Sequence, residues 1–234
     1  MATAFSVLKQ RVQYFAAQNG TTDAIDGYSF DDFLAVSINR AIERMQRDHL
    51  WEALYTQDIT SVDTATSTKT ITLPSDINFL ESVVIEDTTD SYKLDVISKY
   101  DLDTDMPYPE GEAVDRPTCL IRRGRLTAEL FAIPDAVYDV WIRYYKWAAT
   151  LSGAADTPDI PHVDDVIEAG AMVEMCKAKE LLEPLAFWEQ QYQQRLREAI
   201  KQDDKRPEYV TRPRPFTGQT PPPGNFWARP AWRG

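Results

Sequence analysis

The stretch from Arg116 to Trp147 constrains the fold more than any other, because three strand-like runs follow one another in it. Leu120 to Arg123 and Arg125 to Phe131 flank Gly124, and the third run begins at Tyr138. Side chains of an extended chain alternate between faces. Tyr138, Val140, Ile142 and Tyr144 therefore share one face, and Asp139, Trp141, Arg143, Tyr145 and Trp147 share the other. Neither row is plainly polar. We read the strand as packed on both sides, since aromatic strands usually serve a core. The sharper alternative makes Trp141, Arg143, Tyr145 and Trp147 a subunit or partner surface. Gly124 can enter a positive-φ turn without steric cost, which predicts a hairpin, and Pro134-Asp135 predicts the following turn.

The flanks of this β region read as helices. Phe5, Leu8, Val12 and Phe15 recur at helical spacing over 4–18, and Asn19-Gly20 is a stop signal. A second helix over 30–50 starts after Ser29, with Asp32 as its capping-box partner and a stripe of Phe30, Leu34, Ile38, Ala41 and Met45. The β region spans 57–147, with earlier strands at Asp58 to Val62, Lys69 to Leu73, Leu80 to Glu86 and Lys93 to Ile97. A third helix over 163–183 carries Asp164, Asp165 and Glu168 near its start, where the helix dipole favours anions. Its stripe is Ile167, Ala171, Met175, Ala178 and Leu182, and Ala169 and Gly170 beside it would admit another helix closely. Pro184 opens a fourth helix over 184–202, with Leu185, Trp188, Tyr192, Leu196 and Ala199 on its face. The order predicts an α+β fold: a helical bundle made from N-terminal and C-terminal helix pairs, with a central, mostly antiparallel β region.

Charge divides the chain at Asp204. Residues 205–234 hold Lys205, Arg206, Arg212, Arg214, Arg229 and Arg233 against Glu208, which is +5, so with a net charge of −12 for the whole chain residues 1–204 carry −17. Seven prolines exclude a helix or central strand from this C-terminal arm. Phe216, Phe226, Trp227 and Trp232 are more apolar surface than a solvated linker displays. The arm is read as extended and as ordering on a partner, which makes Arg206, Arg212, Arg214, Phe216, Phe226, Trp227, Arg229 and Trp232 the candidate partner-binding residues.

Chemistry is hard to find. The sequence contains no Gly-rich phosphate loop and no HExxH, and its two histidines are His49 and His162. In His162-Val163-Asp164-Asp165 the carboxylates are better explained as helix-start anions. His49 beside Trp51 reads as the end of a packed helix. Cys119 and Cys176 give neither metal spacing nor a disulfide framework and read as small buried hydrophobes. Asp101, Asp103, Asp105 and Glu112 have EF-hand spacing, but Met106 replaces the glycine that loop requires and prolines interrupt it. Asp101, Asp103, Asp105, Glu110 and Glu112 therefore read as an acidic solvated loop. No stretch is apolar enough to cross a bilayer, and the expectation is a soluble, unsecreted protein with no membrane contact, no cofactor and no catalytic or metal site.

The helix pair ending at Trp51, the segment Ile71-Thr72-Leu73-Pro74-Ser75-Asp76, and the block from Arg116-Pro117 through Gly124, Leu126, Leu130 and Pro134-Asp135 to Tyr138, Ile142 and Tyr144-Tyr145 together resemble tailed-bacteriophage head-to-tail adaptor (connector) proteins. Ile160-Pro161 and Gly170-Ala171 fit as well. The resemblance covers nearly all of residues 2–204. It implies a virion protein assembled in the host cytoplasm, forming a homo-oligomeric ring, typically twelvefold, beneath the portal protein. Such a ring extends the channel through which DNA leaves the head and gives the tail or nozzle protein its docking surface.

Charge is consistent with that role. Lys and Arg contacts supply most nonspecific DNA affinity, and an acidic body lets a polyanion pass without holding it. Part of this acidity, including the Asp101 to Asp115 loop, is expected to face the channel. Three alternatives remain: another ring component such as a terminator, stopper or nozzle subunit; a nucleic-acid-binding module acting through the arm; and, lowest, a hydrolase with a pocket around His162 or the Asp101 to Asp115 loop.

Overall fold

The computed structural model describes residues 3–18, 29–58, 63–86, 90–98, 100 and 114–204. Helices α1 (Phe5–Gln18) and α2 (Phe30–Asp48) come first. Among the described residues seven strands follow: β1 (Tyr55–Asp58), β2 (Thr70–Thr72), β3 (Ile77–Glu86), β4 (Ser91–Ile97), β5 (Cys119–Arg122), β6 (Thr127–Phe131) and β7 (Asp139–Lys146). Helices α3 (Asp164–Ala178) and α4 (Leu182–Asp203) close the described part, so the protein is α+β as its sequence order predicts.

Local chemistry sets the helix limits. The Ser29 hydroxyl oxygen accepts from the Asp32 N–H at 3.2 Å, as expected, but the Asp32 carboxylate receives the Ser29 hydroxyl at 2.6 Å and not the backbone. Helix α2 stops at Asp48 because His49 is extended, with φ −153° and ψ 145°. Helix α3 ends five residues sooner than its pattern suggests: Glu180 takes φ 55°, breaking the helix, and α4 starts at Leu182 with Pro184 in its first turn. Ala178 and Leu182 consequently leave the expected stripe, and Leu182 is 77% exposed.

The four helices named above share one core among the described residues. Phe5, Leu8 and Val12 of α1, Leu34, Ile38 and Met45 of α2, and Trp188, Tyr192 and Leu196 of α4 meet around α3. Helix α3 is buried without interruption from Val166 to Val173, so it is a central helix and not an amphipathic one. A Cβ on Gly170 would stand 2.9 Å from the Ala41 Cβ, which shows how closely α2 approaches α3.

A separate core fills the sheet. Its strand order is β1-β7-β3-β4-β5-β6-β2, antiparallel throughout except for the parallel β4–β5 pair. Strand β7 thus lies between β1 and β3 and not beside β6, its predecessor in the chain. The β5–β6 hairpin closes at the expected place, with the Thr127 carbonyl accepting from Gly124 N–H at 3.2 Å. Gly124 does not take the positive φ that the sequence suggests; what favours glycine there is crowding, since a Cβ would stand 3.0 Å from the Thr127 hydroxyl. Strand β1 precedes the Asp58 to Val62 run expected of it, and 59–62 lie outside the described residues.

The two cores are tied by the segment after β7. Asn39 of α2 donates to the Leu151 carbonyl at 3.0 Å and accepts from the Leu151 N–H at 2.9 Å. Two turns further along, the buried Gln46 side chain accepts from Ala148 N–H at 3.1 Å. Asn39→Ala leaves both Leu151 backbone groups without these partners. A loss of about 1–3 kcal/mol in urea unfolding is the expected result.

Candidate functional site

The strand at the centre of the sequence argument has two unlike faces. Tyr138, Val140, Ile142 and Tyr144 are all buried in the sheet core. Trp141, Arg143 and Tyr145 are only half-buried and join neither core. The expectation of packing on both sides is therefore wrong. The outer row of β7 is less buried than the inner one and belongs to neither core.

Sheet order builds this outer face. The ladder sets Tyr55 of β1 and Phe79 of β3 on either side of Tyr145. Their ring centroids lie 5.5 Å and 6.3 Å from that of Tyr145, within the range where aromatic pairs attract. Phe79 is 47% exposed. Beyond the Arg143–Ser82 pair, Trp141 is opposite Val84. At the far end Asp139 faces both Glu86 and Asp63, so three carboxylates stand in one row. Like charges directly opposite one another destabilise a sheet. Beside the aromatic end, burial and then Glu81, which accepts its hydrogen bond, raise the Tyr55 phenol above the ordinary tyrosine value.

Trp147 does not belong to this face. It lies past the end of β7 and lines a cleft of about 540 Å³ between α2 and the sheet. Arg47, Arg122 and Arg125 border the cleft over a floor that includes Ile42 and Ile77. Arg122 donates to the carbonyls of Gly124 at 3.2 Å and Arg125 at 3.4 Å, and Arg47 pairs with Glu43 at 3.5 Å. Sequence reasoning missed this cluster because its three arginines come from two distant segments.

Near the helix ends, the Asp203 carboxylate accepts from the Glu52 N–H at 3.1 Å and contacts the His49 ring at 3.2 Å. His49 stands edge-on to the buried Trp51, 4.9 Å away, whose indole N–H donates to the Met45 carbonyl. His49 and Trp51 therefore close a packed helix end, as their sequence suggests. His162 adopts φ 63° just before α3 and is exposed. Asp164 and Asp165 stand in the first turn of α3, as expected of helix-start anions; Asp164 accepts from the Thr3 hydroxyl, and Val163 makes no side-chain cap.

Glu168 is the buried charge of the helical core, and Arg11 reaches it at 3.0 Å. Burial outweighs Arg11 and holds this carboxyl above the ordinary glutamate range. A raised carboxyl binds its proton more tightly folded than unfolded. Its contribution to stability is full below the unfolded value and is lost as pH rises through the folded one. Thermal melts should show Glu168→Gln gaining on the native chain as pH rises from about 4 to 7.

Among the described residues, no group of His, Cys, Asp and Glu could hold a metal ion. Cys119 and Cys176 are free thiols, the first half-buried and the second buried. No described helix is long and apolar enough to cross a membrane. Asp101, Asp103, Asp105, Glu110 and Glu112 lie outside the described residues, as do the arm positions Arg206, Arg212, Arg214, Phe216, Phe226, Trp227, Arg229 and Trp232.

No curated protein matches the chain. The family model described as SU10 adaptor protein matches residues 3–216, continuing past α4 and stopping at Phe216. That span holds both cores and the outer sheet face, and on it the chain belongs to the SU10 adaptor protein family.

Proposed function

We propose that this chain is a head-to-tail adaptor subunit of a tailed-phage virion. It forms a ring beneath the portal, lengthens the DNA exit channel and presents a docking surface to the tail or nozzle. The observation that carries this reading is the family match over residues 3–216. The family is one of structural adaptors and not of enzymes, and the sequence offers no catalytic constellation against that role. A body at −17 with an arm at +5 suits a sleeve that DNA passes without adhering and an arm that holds to a protein partner. Acidic residues, those of 101–112 among them, face the channel. Arg206, Arg212, Arg214 and Arg229 pair with portal carboxylates, and Phe216, Phe226, Trp227 and Trp232 supply apolar anchors.

Co-sedimentation with the portal assembly tests the reading, comparing the full chain with one ending at Asp204. Stoichiometric rings of the full chain and none of the shortened chain support both the adaptor role and the role of the arm. Binding by both chains retains the adaptor and removes the arm from portal contact. Failure of both overturns portal binding and favours another ring component of the tail. Salt-sensitive DNA binding by the full chain would instead favour the nucleic-acid module.

A further inference from the structure

We propose that the arginine cleft between α2 and the sheet receives the α3–α4 turn of a second copy of this chain, with Leu182 on the cleft floor and Glu180 and Glu183 against its arginines. The inference rests on the ring reading above and supplies the contact by which one subunit holds the next.

The cleft is a basic site on an acidic body. Residues 1–204 carry −17, yet Arg47, Arg122 and Arg125 border one concavity of about 540 Å³. Neither Arg122 nor Arg125 forms an ion pair among the described residues. Arg122 is engaged by the neutral carbonyls of Gly124 and Arg125. Glu43 is the single carboxylate among the described lining residues. Its 3.5 Å contact with Arg47 joins side chains that are 58% and 68% exposed, and an ion pair so open to water contributes little. Beneath the arginines lie the buried Ile42 and Ile77 and the half-buried Trp147. Guanidinium forks over an apolar floor suit an acidic peptide that also carries an apolar side chain. A bare phosphate would leave the floor unused.

The chain itself presents such a segment. Leu182 is 77% exposed, and Glu180 and Glu183 beside it are exposed and form no ion pair among the described residues. The turn is fixed in place. Glu180 N–H donates to the Lys177 carbonyl at 3.2 Å, Leu181 N–H donates to the Cys176 carbonyl at 3.0 Å, and the Leu181 side chain packs on the helical core. A preordered turn loses little freedom when it docks. Two cations stand near it: Lys177, which pairs with Glu174 at 2.9 Å, and the half-buried Lys179. With Lys179 counted against Glu180 and Glu183 the turn carries −1, and with Glu43 counted against the three arginines the cleft carries +2. Cleft and turn share no residue, so each copy gives its turn to one neighbour and takes the turn of another. Head-to-tail contacts of this kind generate rings, whereas a self-complementary patch stops at a dimer.

The test uses the full chain assembled on the portal, with Ala149→Cys in the cleft lining and Ala186→Cys one turn beyond Leu182, both at exposed positions. A short bis-maleimide is expected to link this double variant into a ladder of multimers on a denaturing gel. Each single variant, which retains the native Cys119 and Cys176, should give no ladder. Adding Arg47→Glu and Arg125→Glu should abolish the ladder, and Glu180→Arg with Glu183→Arg in the same chain should restore it. A double variant that sediments with the portal but gives no ladder overturns the cleft contact and leaves the ring reading standing. Failure of the native chain to form a ring on the portal overturns both. A ladder that survives charge reversal, or a product that stops at a linked pair, also overturns the proposal. Linkage to a portal subunit in place of a ladder overturns the second copy as occupant and assigns the cleft to the portal.

Discussion

Gly170→Val is expected to unfold the helical part of the protein at temperatures where the native chain is folded, with circular dichroism losing most of its helical signal. Even an alanine Cβ would sit 2.9 Å from the Ala41 Cβ and 3.3 Å from the Tyr192 ring. The first obstacle is rigid, because an alanine Cβ moves only with its backbone. The second is held in place: the Tyr192 hydroxyl donates to Asp48 at 3.0 Å, and the Arg44 guanidinium, paired with Glu189, lies 4.2 Å from the ring centroid. Gly170→Ala gains about 1 kcal/mol of helix propensity and loses about 1–3 kcal/mol to overpacking, so a smaller net destabilisation is expected. Valine adds two methyl groups to the same gap and exceeds what the helices can absorb. The mechanism makes a second demand. Ala41→Gly removes the atom that the new Cβ strikes, so in the Gly170→Ala background its urea-unfolding cost should be smaller than in the native chain by more than about 0.5 kcal/mol.

That close approach was partly readable beforehand, since Ala169 and Gly170 announce a helix packed tightly on α3. Helical stripes in α1, α2 and α4 were equally legible, because a period of 3.6 survives whichever partner the helix meets. The inner row Tyr138, Val140, Ile142 and Tyr144 was legible for the same reason with a period of two. The outer face was not. Tyr55 and Phe79 become neighbours of Tyr145 only because β7 inserts between β1 and β3, and strand order is a long-range choice that no local pattern carries. Register shifts in β3, between Ile77 and Phe79 and again between Leu80 and Ser82, also break the alternation that would have pointed Phe79 outward. Composition then misled: an aromatic strand suggested two buried faces where only the inner row joins a core. The arginine cleft was hidden similarly, since Arg47 meets Arg122 and Arg125 only once the helices fold back on the sheet.

Trp51→Ala is expected to cost about 3–5 kcal/mol, the usual penalty for emptying a fully packed indole site. Trp51 is 2% exposed in the helical core, and its N–H donates to the Met45 carbonyl at 3.2 Å, near the last turn of α2. Trp51→Phe retains much of the ring and loses that hydrogen bond, so a smaller cost is expected in the same urea titration. The consequence for function lies in what Trp51 supports. His49 packs on the indole and contacts Asp203, and Asp203 holds Glu52, so the indole backs the junction where α4 ends, β1 begins and the arm departs. Asp203→Ala separates the two roles, because it removes the contacts to His49 and Glu52 while leaving the indole in its core. If that junction directs the arm, Asp203→Ala should weaken portal co-sedimentation while the protein still unfolds as one cooperative unit. Loss of stability in proportion to loss of binding would instead make the junction a packing device alone.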